Sequence, residues 1–365
     1  MLLLDNEGVT ETTSDRVMPV PTRYDHTRET LATALTGEPR YRVDQVWAGL
    51  YEQLAEPSEI TNLPKTLRAK LDTELPLALT PAMERASGNG DTIKFVSQIE
   101  GSHLIETVLM IYKDRATVCI STQAGCAMAC DFCATGQAGF NRQLSVGEIV
   151  EQVVLASRKA RRLDRRVSNV VFMGMGEPMA NYDNVWGAAV HLNRDLGIGA
   201  RHLTISTVGI IPGIRRLATE SLPVNLAVSL HAANDTLRNT MVPINKRYPL
   251  NDLMEACSDY LLASNRRLTF EWALISGVND RESDAGELAV RCRNLPLPAH
   301  VNLIPLNPTP GYGVPGTPIK KVHEFRDRLE VLGVNATVRN NRGTDIAAAC
   351  GQLAGSVKVD APTRR

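Results

Sequence analysis

From residue 115 onward, short apolar segments alternate with helical segments, and this alternation constrains the fold more than any other feature of the sequence. The apolar segments are rich in Val, Ile, Leu and Phe and lie at 115–121, 168–173, 202–207, 224–231, 268–275 and 300–305. Helical patterns lie between or after them at 145–162, 183–195, 250–263, 283–293 and 319–332. Strands of this composition are buried on both faces, and six strand–helix units in succession predict an α/β fold with a parallel sheet, curled into a full or partial barrel.

The chain that precedes this alternation differs in character and predicts an accessory region. We expect a loose tail over residues 1–25 and another over 357–365. Apolar spacing between Tyr41 and Leu79 indicates short helices, which places a small helical accessory domain at 26–90. Strand-like segments follow between residues 92 and 111, with a turn at Gly101 and Ser102, and join the main domain of residues 91–356.

Composition excludes some classes of function and leaves one local charge feature open. The 365 residues carry a formal net charge of zero, so the molecule as a whole is not a binder of polyanions. Six cations fall within nine positions, at Arg158, Lys159, Arg161, Arg162, Arg165 and Arg166. This arginine-rich stretch is either an RNA contact or a solvated helix end. We expect a cytoplasmic protein without membrane contact, because neither a secretory signal nor an apolar run of about 20 residues is seen.

Three cysteines follow the first predicted strand at intervals of four and three, at Cys126, Cys130 and Cys133. Thiolates at such spacing are ligands of zinc or of iron–sulfur clusters. A structural zinc site needs a fourth ligand, and no second Cys or His pair follows. Three ligands leave one iron of a 4Fe–4S cluster open, and an open iron can chelate S-adenosylmethionine. Buried structural thiols or a zinc site remain the alternatives.

Longer motifs around these cysteines resemble one family, the RlmN/Cfr adenosine methyltransferases of the radical S-adenosylmethionine superfamily. The resemblance covers residues of about 40 to 356 and is carried by residues 119–126, 132–137, 174–178, 206–209, 229–231, 302–308 and 349–355. It implies a partial (βα)6 radical-SAM barrel with a small N-terminal helical accessory domain. It also implies that Cys126, Cys130 and Cys133 hold a 4Fe–4S cluster.

The resemblance assigns roles to further residues. It implies S-adenosylmethionine contacts at Gly176, Glu177, Ser206, Ser229, Leu230, His231 and Asn307. Several of these are polar residues at predicted strand ends, where each alone is as compatible with a satisfied core position. The residue matching Cys350 is methylated on sulfur in the family, Cys119 resolves the adduct through a transient disulfide, and Glu106 is the proton acceptor. Without the resemblance, Glu106 would be assigned to the surface of a hairpin, and Cys257 and Cys292 to the core.

The implied reaction consumes two S-adenosylmethionine molecules per turnover. One methylates Cys350, and the other yields a 5′-deoxyadenosyl radical that activates this methyl group. The family's substrates are an adenosine in the peptidyl-transferase centre of 23S rRNA and, in the RlmN branch, adenosine 37 of some tRNAs. We expect carbon-2 methylation, since residues 139–142 and 352–355 are RlmN-like, together with a flavodoxin-like electron donor and a monomeric state. The alternatives are Cfr-type carbon-8 methylation and a zinc-stabilised RNA-binding protein without catalysis.

Overall fold

The structure, a computed structural model, describes residues 21–355. The helices are α1 (Arg28–Ala34), α2 (Tyr41–Ala48), α3 (Lys65–Glu74), α4 (Ala134–Gln137), α5 (Val146–Arg162), α6 (Tyr182–Arg194), α7 (Ile211–Ala218), α8 (Asp235–Met241), α9 (Leu250–Ser264), α10 (Glu282–Arg293) and α11 (Ile319–Val331). The strands are β1 (Thr80–Ala86), β2 (Thr92–Gln98), β3 (Leu104–Ile111), β4 (Ala116–Cys119), β5 (Gln123–Gly125), β6 (Phe140–Gln143), β7 (Val167–Phe172), β8 (Leu203–Thr207), β9 (Asn225–Ser229), β10 (Leu268–Leu274), β11 (His300–Pro305) and β12 (Ala336–Val338).

One ten-stranded sheet organises the molecule, in the order β1-β2-β3-β4-β7-β8-β9-β10-β11-β12. The pairs from β4 onward are parallel, whereas β1 to β4 pair antiparallel. Since β1 and β12 are its two ends, the sheet forms an open, partial barrel, as predicted. The six predicted parallel strands are present with bounds within two residues, and the five predicted helices with bounds within one.

Several short elements were not predicted. A seventh parallel strand, β12, extends the sheet beyond β11, and β5 and β6 form a separate two-stranded hairpin beside the predicted cysteine site. Helices α7 and α8 follow β8 and β9 directly. Within residues 21–355, no helix is both long and apolar enough to cross a membrane.

Helix α5 shows how local sequence fixes the orientation of the strand–helix units. Ser145 and Glu148 form the expected capping box, in which the Glu148 amide donates to Ser145 Oγ (3.2 Å) and the Ser145 amide donates to Glu148 Oε2 (2.9 Å). The helix buries an apolar face that includes Ile149, Val150 and Val153, each with no exposed surface. It therefore starts beside the end of β6 and runs back along the sheet toward the start of β7.

The N-terminal region packs on the barrel and is continuous with its core. Residues 1–20 and 357–365 of the expected tails lie outside the described residues, but Arg23 is buried and Tyr24 is completely buried. Trp47 of α2 donates from Nε1 to Asp195 Oδ1 (3.0 Å) at the end of α6. The expected helical domain of 26–90 contains α1 to α3 and also β1, which extends the main sheet.

Three of the six cations in the arginine-rich stretch contact this N-terminal region. Arg158 pairs with Glu56 and donates from Nε to the Leu54 carbonyl (2.6 Å). Arg161 donates to the carbonyls of residues 52 and 53, and Lys159 pairs with Glu84 of β1 (2.6 Å). These contacts favour a structural role for the first half of the stretch over contact with RNA.

Candidate active site

A cavity opens at the carboxyl ends of the parallel strands, the edge at which barrel enzymes carry their chemistry. Ten of the thirteen residues predicted for the site line it, namely Cys126, Cys130, Cys133, Gly176, Glu177, Ser206, Ser229, His231, Asn307 and Cys350. They lie in or after six different strands, namely β5, β7, β8, β9, β11 and β12, so the sheet topology brings them together across more than 220 positions of sequence. The other three, Glu106, Cys119 and Leu230, lie outside the cavity wall.

The three clustered cysteines are held on a loop that the β5–β6 hairpin and α4 fix in place. The Cys126 amide donates to the Gly139 carbonyl (2.7 Å), which ties the first cysteine to the hairpin. The Cys133 amide donates to the Cys130 carbonyl (3.2 Å), which closes the loop before α4 begins. Gly136 of α4 lies so close that a Cβ there would be 2.7 Å from the Cys130 carbonyl oxygen. The loop conformation therefore requires a glycine at this position.

The chemistry of this donor set fits an iron–sulfur cluster. All three thiols are free, and burial raises the pKa of Cys126 to about 12 and raises that of Cys130 further. The negative charge of a neighbouring thiolate adds to the rise at both. Thiolates in such surroundings need a cationic centre to compensate their charge. Within residues 21–355, no three Cys, His, Asp or Glu side chains converge closely enough to hold one metal ion.

Glu177 is a buried carboxylate that faces this cavity. Its Oε1 accepts from the Met179 amide (3.0 Å) and its Oε2 accepts from the Val208 amide (2.8 Å). Burial raises the pKa of Glu177 to about 7, against the opposing effect of these two hydrogen bonds and of Thr207. A carboxylate with remaining acceptor capacity at the cavity wall suits a ligand that carries an amino group.

Gly176 brings the backbone that precedes Glu177 close to the hairpin. Its φ is 101°, and a Cβ there would lie 2.5 Å from the Cβ of Gln123. Gln123 in turn accepts on Oε1 from the Glu177 amide (2.8 Å). The glycine thus lets the carboxylate and the cysteine loop share one wall of the cavity.

His231 contributes a neutral imidazole. Its Nδ1 accepts from the Ala273 amide (3.0 Å), so in the neutral ring the proton is on Nε2. Burial, together with the nearby charge of Arg238, lowers the pKa of His231 to about 3. The ring packs against Phe132, edge to face, at 5.0 Å between centroids. His231 is therefore a hydrogen-bond donor at neutral pH rather than an acid–base group.

Leu230 differs from its neighbours in the predicted set. Its side chain has no exposed surface and belongs to the main hydrophobic core. Its amide donates to the Glu271 carbonyl (3.0 Å), and its carbonyl accepts from Arg238 Nε (3.0 Å). The side chain thus supports the end of β9 rather than the cavity surface.

Cys350 is carried on a segment that enters the cavity mouth, here called the Cys350 loop (residues 343–355). Asn307 donates from Nδ2 to the Cys350 carbonyl (3.0 Å), and Thr135 donates to the Leu353 carbonyl (2.6 Å). The Cys350 side chain has accessible surface toward the cavity, yet the surrounding protein raises its pKa through desolvation. The predicted S-adenosylmethionine contact Asn307 therefore also holds the predicted methyl-carrying residue.

Cys119 and Glu106 lie directly behind this loop. Cys119 ends β4 and is grouped with Ile346, Ala348 and Leu353 of the loop in one apolar cluster. Burial raises the pKa of Cys119 to about 12, and the charge of Cys350 contributes to the rise. Glu106 is 1% exposed, so the surface assignment suggested by the hairpin pattern alone is wrong. Both Cys119 and Cys350 are free thiols in the structure.

Two arginines at or near the cavity were not predicted from the sequence. Arg238 is completely buried and donates to the carbonyls of Val208 (2.6 Å) and Leu230 (3.0 Å), which joins the ends of β8 and β9. Arg339 lines the cavity and pairs with Glu271 at 3.2 Å. Arg238 lies within α8 and Arg339 directly follows β12, and no local motif marks either of them.

Comparisons with known proteins bear on this site. Residues 120–289 match the family model described as the Radical SAM superfamily. Over 386 aligned positions the chain is 47% identical to a Roseiflexus castenholzii protein named "probable dual-specificity RNA methyltransferase RlmN", which covers 93% of this chain and 97% of that one. A Salinispora tropica protein of the same name is 48% identical over 338 positions and covers 90% of each chain. The crystal structure of a radical SAM methyltransferase from Sphaerobacter thermophilus matches with a TM-score of 0.89 at 48% identity, covering 92% of this chain and 100% of that one.

Proposed function

Because the chain belongs to the RlmN family of radical S-adenosylmethionine RNA methyltransferases, we propose that it forms 2-methyladenosine in 23S rRNA and in some tRNAs. The rRNA target is the adenosine of the peptidyl-transferase centre, and the tRNA target is adenosine 37. The observation that carries the proposal is the convergence of Cys350 with Cys126, Cys130 and Cys133 on one cavity. A thiol that shares a cavity with the ligands of a radical-generating cluster is in the right place to carry the methyl group.

The family uses a 4Fe–4S cluster and S-adenosylmethionine, and the chain supplies residues suited to both. In our proposal Cys126, Cys130 and Cys133 hold the cluster, and Glu177 accepts hydrogen bonds from the amino group of S-adenosylmethionine. When bound, this cofactor pair supplies the 5′-deoxyadenosyl radical that an electron-poor ring carbon requires. His231, through Nε2–H, together with Gly176, Ser206, Ser229, Leu230 and Asn307, orients S-adenosylmethionine beside the cluster.

Three further residues act on the methyl group and the base. In our proposal Cys350 accepts a methyl group on sulfur and presents it to the RNA base inside the cavity. Cys119 resolves the resulting enzyme–RNA adduct by forming a transient disulfide with Cys350 as the methylated base leaves. Glu106 accepts the proton that the base gives up. The position of Cys119 and Glu106 directly behind the Cys350 loop supports these roles.

The location of the cavity sets the requirements for the substrate and the partners. The target base must leave its stack to reach a cavity in which the cysteines are mostly buried, so the RNA is one that tolerates base flipping. We further propose that the enzyme is a cytoplasmic monomer and receives electrons from a flavodoxin-like donor.

Mass spectrometry of the modified nucleoside tests this proposal. The reconstituted protein is incubated with S-adenosylmethionine, a reductant and fragments of 23S rRNA or tRNA, and the RNA is then digested to nucleosides. We expect 2-methyladenosine from both RNAs. An 8-methyladenosine product would indicate the Cfr-type reaction instead, and a product from rRNA alone would remove the tRNA part of the proposal.

A further inference from the structure

Lys94 is a buried lysine that the mechanism above does not use. It lies on β2 with 7% of its surface exposed, and its Nζ is 3.1 Å from Glu106 Oε2. The same Nζ donates to the Ala347 carbonyl oxygen at 3.1 Å. A buried ammonium needs partners on several sides, and here one partner is the predicted proton acceptor and the other is the Cys350 loop.

The register of the sheet explains why these groups meet. Lys94 pairs with Val108 and Val96 pairs with Glu106 across β2 and β3, so Lys94 and Glu106 are diagonal neighbours on one face. Val108 pairs in turn with Cys119 of β4. This face of the three strands therefore presents Lys94, Val108 and Cys119 side by side, with Glu106 next to Val108 along β3, and the Cys350 loop packs on it.

The ion pair contacts the loop on both sides of the cysteine. Lys94 binds the Ala347 carbonyl, three residues before Cys350. Glu106 Oε1 accepts from the Ala354 amide (3.3 Å) and the Gly355 amide (2.9 Å), four and five residues after it. The loop contains left-handed residues at Gly343, Ala347 and Gly351, so its conformation depends on contacts such as these.

We propose that Lys94 is a positioning residue that, together with Glu106, clamps the Cys350 loop at both ends. Its charge holds the Glu106 carboxylate where that group accepts from the Ala354 and Gly355 amides of the loop. The clamp follows from the contacts alone, and its consequence for methyl transfer rests on the proposed function. Loss of Lys94 releases the segment around Ala347 and leaves Glu106 as a buried carboxylate without its cation.

Hydrogen exchange tests the clamp, and turnover tests its consequence. In Lys94→Met, amides of the Cys350 loop should exchange about tenfold faster or more, because loss of the hydrogen bond to the Ala347 carbonyl and of the ion pair with Glu106 lowers the local opening free energy. The same variant should still cleave S-adenosylmethionine but yield about tenfold less methylated RNA. Lys94→Arg keeps the charge and the donors, so it should restore most of the exchange protection of the loop and most of the yield of methylated RNA. Lys94→Gln, which keeps a polar end without the charge, serves if Lys94→Met fails to fold.

Lys159→Met is the matched control, because it removes the ion pair with Glu84 of β1 and no contact to the loop. It should leave loop exchange and methylation at wild-type levels. Unchanged loop exchange in Lys94→Met, an equal effect of Lys159→Met, or failure of Lys94→Arg to restore methylation would overturn the proposal. Wild-type enzyme that forms no methylated adenosine would instead count against the proposed function, while the exchange measurement would still decide the clamp.

Discussion

At the scale of single residues, the surroundings of the cysteines separate their chemistry. Cys257 and Cys292 are buried in the main hydrophobic core, and burial raises the pKa of each to about 12. Cys350 instead has accessible surface toward the cavity and lies on a loop rather than on a helix. A thiol that must exchange groups with substrates needs such access, whereas a core cysteine acts as a small apolar side chain.

This contrast predicts the result of replacing Cys350. The Cys350→Ala variant should keep the cluster ligands and Glu177 intact, so it should still cleave S-adenosylmethionine slowly. It should transfer no methyl group to RNA, because the sulfur that we propose carries the methyl group is gone. Radiolabelled methyl transfer and 5′-deoxyadenosine release are measured in parallel. Cys257→Ala is the control and should methylate normally, and methylation by Cys350→Ala would contradict the two-cysteine scheme.

At the scale of secondary structure, buried parallel strands and capped helices were the most predictable elements. Their apolar runs and the Ser145–Glu148 capping box are local signals, and the bounds agree within two residues. Strand β12 and helices α7 and α8 are only three to eight residues long, too short for periodicity to stand out. The β5–β6 hairpin depends on its pairing partner and on the positive φ of Gly125 and Gly139, and sequence spacing alone does not show either.

The same distinction between local and distant signals holds for the site. The cysteine spacing and the glycines at 174–176 are local signals, and they identified the cysteine loop and the turn before Glu177. The other predicted residues of the cavity wall came from the family resemblance. Lys94, Arg238 and Arg339 gain their roles from partners 12 to 253 positions away or from buried carbonyls, which sheet register and loop packing bring close. Glu106 was found only through the family resemblance, because the sequence of β3 does not show which of its faces the Cys350 loop covers.

Glu151 of α5 provides a test of how elements are joined. It has no exposed surface, and its oxygens accept from the amides of Ala78 (2.9 Å) and Leu79 (3.2 Å), which anchor the segment before β1. Burial raises its pKa from 4.5 to about 7, against the effect of these two amides. A carboxyl whose pKa is higher in the folded than in the unfolded state contributes its full stabilisation of the folded protein below pH 4.5. This contribution is lost as the pH rises through 7.

We therefore expect the wild-type free energy of unfolding to fall, relative to Glu151→Gln, as the pH rises from about 4.5 to 8. The relative change is at most about 3 kcal/mol, from the pKa difference between 4.5 and 7. Urea unfolding of both proteins at pH 5, 7 and 8.5 measures it. Glu151→Gln is itself expected to be less stable at pH 5 by about 1–3 kcal/mol, since one backbone amide loses its acceptor. A wild-type protein that gains stability relative to Glu151→Gln as the pH rises would contradict this assignment.

At the scale of the whole molecule, the barrel has two ends with different tasks. Helix α5 begins near the cavity and runs for 17 residues, about 25 Å, so its last turn lies toward the other end of the sheet. Arg158, Lys159 and Arg161 in that last part bind the N-terminal region. The cavity end carries different cations. Lys246 and Arg247 are exposed just after Met241, Val242 and Ile244, which pack with Cys130 and Phe132.

An RNA that places a base in the cavity lies across the cavity end, so the cations there should contact its phosphates. Each neutralised phosphate contributes about one to the slope of log Kd against log salt concentration. Arg247→Met should therefore weaken RNA binding at low salt and reduce that slope by about one. Arg162→Met removes an equal, exposed charge at the last residue of α5 and should leave the slope unchanged.

Fluorescence anisotropy with a labelled tRNA over a range of salt concentrations measures both variants. The comparison is direct, because the two substitutions change net charge equally and differ only in which end of the barrel loses it. A reduced slope for Arg162→Met with no effect of Arg247→Met would reverse the assignment and make the arginine-rich stretch the RNA contact. Equal reductions would mean that the RNA reaches both ends of the barrel, in which case the bound RNA must wrap along α5 as well as cover the cavity.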